Sequence, residues 1–177
     1  VWAGEPGSKP TIPGPWSEPA SFELALLRIE DWAGTAWIGS PHESSQPASR
    51  RLRWRRQNTD RPSPLLRKEF EVEQGDDIAE ARLYCSALGI YDVEINGTSV
   101  SEDRLRPGFT AYGHRIQHQT YDVSALLIEG RNTIGITLAD GWWRGRVGVF
   151  RKPNNWGTIV AAIARLEAGN RTLVQSD

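Results

Sequence analysis

The sequence contains no methionine, a single cysteine and only three histidines among its 177 residues. One cysteine excludes a disulfide framework within the chain, and we expect Cys85 to be a small buried side chain because it lies in the apolar stretch 81–88. The longest apolar run, 159–164, is far shorter than the roughly 20 residues that a membrane-spanning helix needs. A formal charge of −1 gives no overall field that would attract nucleic acid or an anionic membrane.

Without a methionine, the chain does not begin at an initiator residue, and we expect a processed product or an excised piece of a longer protein. Residues 1–20 are rich in proline and glycine, which favours turns and extended chain. The run 50–56 carries five arginines around Leu52 and Trp54. Such a run contacts nucleic acid in some proteins, but we see no matching basic face elsewhere and predict a solvated loop.

From residue 64 onward the pattern favours β-structure. Phe70 and Val72 alternate with glutamates, residues 81–88 predict a buried strand, and 91–95 lead into Asn96-Gly97, the strongest short signal for a hairpin. Further strands are predicted at 116–123, 132–139, 158–166 and 171–174, with one helical turn at 124–127. Many short strands and no long helix predict an all-β fold, a jelly-roll-type β-sandwich.

Motifs for several classes of enzyme are missing. No Gly-x-Ser-x-Gly turn exposes a serine, and no glycine-rich loop matches a nucleotide-binding pattern. His114 and His118 share one face on a helix or a strand, but a zinc site needs a third protein ligand that their neighbourhood does not supply. The carboxylate pairs at 76–77 and 102–103 lie in polar turns, whereas glycoside hydrolysis needs one carboxyl with a raised pKa.

The stretch 140–146, Asp-Gly-Trp-Trp-Arg-Gly-Arg, ends an apolar strand and holds the one candidate site. The indoles of Trp142 and Trp143 suit the apolar faces of sugar rings, while Asp140 and Arg144 can bind vicinal hydroxyls. These four residues predict a carbohydrate-binding surface. The alternative is that both tryptophans pack against a neighbouring domain while Asp140 pairs with Arg144 or Arg146, because interfaces also favour Trp and Arg.

A set of short stretches, in this order, resembles a known family. The stretches are Leu66-Arg67-Lys68-Glu69-Phe70, Ala81-Arg82-Leu83-Tyr84 with Gly89-Ile90-Tyr91, Ile95-Asn96-Gly97, Leu105-Arg106-Pro107-Gly108-Phe109-Thr110-Ala111-Tyr112, Gln119-Thr120-Tyr121-Asp122-Val123 and Ala139-Asp140-Gly141-Trp142-Trp143-Arg144-Gly145. Residues 66–148 resemble the N-terminal β-sandwich domain of bacterial α-L-rhamnosidases. Residues 16–23 and 31–39 resemble the junction that follows a fibronectin-like domain in the same enzymes.

This resemblance implies three segments. We expect residues 1–25 to end a fibronectin/Ig-like domain and residues 26–63 to form a connector with an Arg-rich loop that is longer than usual in the family. Residues 64–177 would form the β-sandwich, truncated at its C-terminus because the family's sandwich continues further.

The resemblance also implies a multidomain glycoside hydrolase that removes terminal α-L-rhamnose with inversion. The family's catalytic carboxylates belong to an (α/α)₆ barrel C-terminal to this region, so no catalytic residue is assigned here and the barrel of the same polypeptide is the expected partner. Some members bind rhamnose through a related sandwich with a calcium ion, and only 140–145 matches here.

We therefore expect a non-catalytic domain with a structural role that helps to shape the substrate cleft. The alternatives are an independent module that binds a rhamnose-containing glycan, and an enzyme complete in these residues. Neither nucleic acid nor a membrane is an expected partner.

Overall fold

The computed structural model describes residues 18–41, 62–149 and 151–177. Its strands are β1 (Leu65–Val72), β2 (Ala81–Leu88), β3 (Ile90–Ile95), β4 (Thr98–Ser99), β5 (Gln119–Asp122), β6 (Gly130–Ala139), β7 (Ala161–Ala168) and β8 (Arg171–Gln175). The described part also contains a four-residue helix, α1 (Gly141–Arg144), and 3₁₀ turns at Ile29–Trp32, Ile78–Glu80 and Ser124–Leu126. No helix within these ranges is long and apolar enough to cross a membrane.

The strands form two four-stranded antiparallel sheets, in the orders β1-β6-β3-β4 and β5-β2-β7-β8. The sheets pack face to face as the predicted β-sandwich, because every long strand has one apolar face to bury. On β6 the buried apolar side chains are Ile134, Ile136 and Leu138, which alternate with residues of the outer face. Burying each such side chain contributes roughly 1.5–3 kcal/mol, so the alternation decides which face turns inward.

Two predicted strands are shorter in the structure. Residues 116–118 precede β5 as irregular chain, and the carbonyl of Gln117 accepts a hydrogen bond from the Ser86 hydroxyl at 2.6 Å. Residues 158–160 precede β7, and the carbonyl of Ile159 accepts a hydrogen bond from the indole of Trp143 at 2.9 Å. Both predictions extended the strand too far because side chains from distant segments take up these backbone groups.

A buried polar cluster links the two sheets. The hydroxyl of Tyr91 on β3 lies 2.9 Å from the hydroxyl of Tyr121 on β5, 2.8 Å from the side-chain oxygen of Gln119 and 3.2 Å from the Cys85 carbonyl. Cys85 itself is fully buried, as predicted. Burial raises the pKa of Tyr91 well above the ordinary range, raises that of Tyr121, and raises that of the Cys85 thiol to about 12. These side chains are therefore uncharged constituents of the core.

The described part of the N-terminal segment, 18–41, lies against the β2-β7-β8 sheet. Ile38 exchanges backbone hydrogen bonds of 2.8 Å with Ala162, and the amide of Ala36 donates to the carbonyl of Ser176. Nearer its start, Glu23 forms an ion pair with Arg82 on β2 at 2.5 Å. The predicted boundaries at residues 25 and 63 stay predictions, and the Arg-rich run 50–56 lies outside the described residues.

Candidate functional site

The candidate site begins where β6 ends. Asp140 follows the last strand residue, and Gly141 starts α1 with a positive φ of 51°. A Cβ at Gly141 would lie 2.6 Å from the Ile90 side chain, so both the backbone conformation and the available space require glycine there. The amide of Arg144 then donates to the carbonyl of Asp140 at 3.1 Å and closes one helical turn. Four residues are too few to show a helical period, so this helix was not predicted from the sequence.

The charged groups of this turn bind each other. Nε and Nη2 of Arg144 lie 2.7 and 2.6 Å from one oxygen of Asp140. Arg144 is buried at 3% exposure, whereas the Asp140 side chain is 43% exposed. The structure thus contains the Asp140–Arg144 pair of the packing interpretation. In this arrangement the guanidinium of Arg144 is not presented to a ligand in solvent.

Trp143 is held in place from two sides. Its indole nitrogen donates to the Ile159 carbonyl, and its ring packs against the hydrophobic core. A Cβ at Gly157 would lie 2.3 Å from the indole ring, so this glycine permits the close approach of chain and ring. Trp143 therefore anchors α1 to the segment that precedes β7.

A group of aromatic side chains surrounds this anchor. Tyr112 is buried and contacts the rings of Trp143 and Trp156 edge-on, with centroids 5.3 and 5.6 Å apart. Phe109 contacts Tyr112 at 5.8 Å and Trp142 at 6.2 Å. Edge-to-face contacts at these distances are favourable. We call this group the aromatic face; its members are Phe109, Tyr112, Trp142, Trp143 and Trp156.

Part of the aromatic face is open to solvent. Phe109 is 59% exposed and Trp156 is 45% exposed. Leu105 and Val149, on the same two loops, are also exposed. The structure brings Trp142 and Trp143 together with three aromatic residues that the search for a site did not select. Only the family stretch 105–112 signalled the importance of Phe109 and Tyr112, and nothing local marked Trp156.

Arg106 fixes the loop that carries Phe109 and Tyr112. Its guanidinium lies 5.3 and 5.5 Å from the ring centroids of Tyr91 and Tyr121 and forms an ion pair with Asp92. Arg106 is only 3% exposed, so this cation–π contact is shielded from water. The loop is thereby attached to both sheets of the sandwich.

The two histidines considered as zinc ligands lie in different surroundings. His114 is exposed, whereas the His118 ring packs edge-on against Trp32 at 5.5 Å, and burial lowers the pKa of His118. Across residues 18–41, 62–149 and 151–177, no three His, Cys, Asp or Glu side chains converge as metal ligands. The expectation of no cofactor, with calcium as the one ion that the resemblance offers, stays a prediction.

A cleft of about 440 Å³ opens between the edges of β1 and β8. It is lined by apolar residues such as Leu66, Ile136 and Val174. Asp177 is the single acid in its lining, and it is bound by Lys68. This cleft therefore does not offer the two carboxylates that glycoside hydrolysis requires.

Among the residues that the structure describes, four carboxyl groups have shifted pKa values, and each of these pKa values is lowered. Hydrogen bonds from Arg82, Arg67 and Ser124 lower the pKa of Glu23, Glu69 and Asp122, respectively. For Asp76, burial opposes the shift, but hydrogen bonds from Glu73 and Arg171 outweigh it. A glycosidase acid needs the opposite shift.

Comparison with known proteins gives the family. Residues 76–177 match the profile of the α-L-rhamnosidase N-terminal domain. The chain belongs to this family. It is 43% identical over 133 residues to an α-L-rhamnosidase of Formosa agariphila, a match that covers 75% of this chain and 14% of the relative. An α-L-rhamnosidase of an Alteromonas species is 36% identical over 146 residues, or 81% of this chain and 15% of the relative.

Solved structures agree with this assignment. The α-L-rhamnosidase of Aspergillus terreus superposes with a TM-score of 0.77 at 34% identity, covering 92% of this chain and 18% of that enzyme. The Streptomyces avermitilis α-L-rhamnosidase, solved with L-rhamnose, has a TM-score of 0.58 at 37% identity and covers 64% of this chain and 11% of the enzyme. This α-L-rhamnosidase N-terminal domain thus spans less than a fifth of these relatives.

Proposed function

We propose that this chain is a non-catalytic accessory domain of an α-L-rhamnosidase, and that it docks through the aromatic face on the remainder of the enzyme, where it helps to shape the substrate cleft. The observation that carries the proposal is the aromatic face itself. Its anchoring groups, Asp140, Trp143 and Arg144, are bound within the domain, while its outer rings are exposed.

A catalytic role has little support among the described residues. The carboxyl pKa values that shift are lowered, and the cleft beside β1 has one paired acid. Glu69 and Glu71 lie near one another on β1, but Arg131 lies 3.8 and 3.9 Å from them, so this pair is also neutralised. General acid catalysis at a glycosidic bond needs a protonated carboxyl beside a second carboxylate.

The composition of the aromatic face is that of a protein interface. Aromatic and arginine residues are enriched in interface cores, and acidic residues are depleted. Phe109 and Trp156 are exposed, and so are the aliphatic side chains of Leu105, Val149 and Ile159 on the same loops. A contiguous apolar surface of this kind marks a site of association in soluble proteins.

The proposed partner is the catalytic domain of the same polypeptide, an (α/α)₆ barrel. Support comes from the length of the relatives, of which this chain covers 14 and 15%. The remainder of such an enzyme is large enough to supply both the catalytic carboxylates and a surface for docking.

Two measurements test the proposal. The isolated chain should release no rhamnose from an aryl α-L-rhamnoside, and turnover by the pure chain would overturn the non-catalytic assignment. In the parent enzyme, Phe109→Ala and Trp142→Ala should each lower the domain's unfolding temperature more than in the isolated chain, because truncating an interface anchor costs about 2 kcal/mol or more.

The control is Phe22→Ala, which truncates another exposed phenylalanine, 86% accessible, on the N-terminal segment. It should have the same small effect in both contexts. If Phe109→Ala and Trp142→Ala also lowered the unfolding temperature equally in the isolated chain and in the parent enzyme, docking through the aromatic face would be wrong.

A further inference from the structure

The sandwich is open along the edges of β1 and β8. Among the described strands, each of these two lies at the end of its sheet, and the cleft of about 440 Å³ lies between them. Side chains of the hydrophobic core line this cleft, among them Leu83, Ile134 and Leu166. A core beside an open cleft of this volume is not close-packed on that side. Apolar side chains from another segment would therefore be stabilised by filling it.

One side of β1 carries backbone groups with which no described strand pairs. The amide of Leu138 donates to the carbonyl of Pro64 at 2.9 Å. Leu66 lies opposite Ile136 two residues further along, and the register continues to the end of the strand. Because hydrogen-bonded pairs alternate along antiparallel strands, the even-numbered residues of β1 bond to β6 and the odd-numbered residues present their amides and carbonyls to the open side. An unpaired row of this kind is a template for a further strand.

The corresponding edge of β8 is partly occupied. The carbonyl of Gln175 accepts a hydrogen bond from Nζ of Lys68 at 3.1 Å, and its side-chain amide donates to the Gly34 carbonyl at 2.9 Å. The amide of Ala36 donates to the Ser176 carbonyl just beyond the strand. A further strand therefore finds its backbone partners on β1 rather than on β8.

Lys68 holds Asp177 at the mouth of the cleft. On β1, Lys68 shares the inner face with Leu66 and Phe70, because side chains alternate between the two faces of a strand. Its ammonium group forms an ion pair with Asp177, which lines the cleft two residues beyond β8. Because consecutive elements usually lie next to each other in space, a polypeptide that continues from Asp177 would start its next element at the open edge of β1.

We propose that the segment of the parent polypeptide which follows Asp177 adds a β-strand to the open side of β1, with alternate apolar side chains that enter the cleft. This inference rests on the proposed function only in taking the chain to be part of a longer enzyme, and it does not depend on the aromatic face. The relatives have the necessary length, since this chain covers 14 and 15% of two of them. The added strand bonds to the backbone of Arg67 and Glu69 and covers Leu66 and Ile136.

Hydrogen–deuterium exchange at single-residue resolution compares the parent enzyme with the isolated chain. The amides of Lys68 and Phe70 bond to β6 and should exchange slowly in both. The amides of Arg67 and Glu69 should exchange about tenfold more slowly in the parent enzyme, because only the added strand bonds to them. Replacing the first ~12 residues after Asp177 by a Gly/Ser linker should remove this difference, since a short connection and one strand fit within that length.

Two variants test the backbone pairing and the cleft separately. Glu69→Pro removes an amide on the open side without removing a bond to β6, which an edge strand tolerates; in the parent enzyme it should restore fast exchange at Arg67. Leu66→Ala should lower the unfolding temperature more in the parent enzyme than in the isolated chain, because the added strand packs on Leu66. The matched control is Leu126→Ala, which truncates another partly buried leucine of the core outside the cleft and should act equally in both.

Three results would contradict the inference. Fast exchange at Arg67 and Glu69 in the parent enzyme would show that no strand is added there, whereas the docking of the aromatic face is tested independently by Phe109→Ala and Trp142→Ala. Slow exchange of these amides in the isolated chain would place the occupant within this chain, or in a second copy if the protection grew with protein concentration. Protection that survived the Gly/Ser replacement would assign the edge of β1 to another part of the enzyme.

Discussion

Replacing Asp140 by asparagine removes the charge opposite a buried guanidinium and leaves the shape of the side chain almost unchanged. In the wild-type chain, Arg144 is 3% exposed and places Nε and Nη2 within 2.7 Å of one oxygen of Asp140. Asparagine keeps a neutral acceptor at this position. The free energy of unfolding should fall because the Arg144 charge stays buried with a weaker partner.

The expected loss follows from the exposure of the two side chains. Breaking a fully buried ion pair costs about 3–5 kcal/mol, but the Asp140 side chain is 43% exposed, so water screens the lost charge. We expect about 2 kcal/mol, within the range for losing a charged hydrogen bond. In a domain of this size, that loss lowers the unfolding temperature by about 4–8 °C.

The assay is a double-mutant cycle followed by urea unfolding. Asp140→Asn, Arg144→Met and the double variant isolate the interaction from the other effects of each change. We expect a coupling energy of about 1–2 kcal/mol, because methionine removes the cation that needs Asp140. The control Glu102→Gln neutralises an exposed acid in a turn and should change stability by less than about 0.5 kcal/mol.

A coupling energy near zero would refute the reasoning, because the pair would then not anchor α1. A second result would also refute it. If Asp140→Asn left stability unchanged but abolished a measurable affinity for L-rhamnose, Asp140 would be a ligand-binding residue, as the carbohydrate-binding interpretation holds.

Two further predictions follow from buried groups. Burial raises the pKa of all four tyrosines, so the folded chain keeps them neutral at a pH where unfolded tyrosines ionise, above about 10. The free energy of unfolding should therefore be unchanged below about pH 10 and fall as the pH rises further. Urea unfolding across this pH range measures the loss. If tyrosinate absorbance in the folded chain appeared at the ordinary tyrosine pKa, the prediction would be contradicted. Gly157→Ala should cost about 1–3 kcal/mol because its Cβ would enter the indole ring of Trp143. Gly113→Ala, where no atom lies within 4 Å of the added Cβ, is the control, and equal unfolding temperatures for the two variants would exclude the proposed close packing.

Much of the fold was predictable because its determinants are local. The alternation of Ile134, Ile136 and Leu138 with smaller or polar residues predicted β6 and its inward face, and all three side chains are buried. Asn96 and Gly97 both have positive φ, as a tight hairpin turn requires, and join β3 to β4. The ends of strands were less predictable. Strand β7 begins at Ala161 because the indole of Trp143 on α1 donates a hydrogen bond to the Ile159 carbonyl just before it.

The sequence predicted the residues of the candidate site but not how they are arranged. Asp140, Trp142, Trp143 and Arg144 stood out because they follow one another in the sequence. However, sequence left open whether Arg144 faces sugar or Asp140, because both arrangements use the same residue types. The i, i+4 spacing on a helical turn selects the pair, and that turn becomes visible only in the structure.

By itself, the sequence determined an all-β sandwich with a buried cysteine and the resemblance to α-L-rhamnosidases, since alternation, turn residues and ordered stretches are all properties of short segments. The tertiary structure alone decided the aromatic face. Phe109 and Trp156 are 47 positions apart in the chain, yet each ring contacts Tyr112. Contacts across such separations depend on how two loops leave the same end of the sandwich, and no local pattern encodes that geometry.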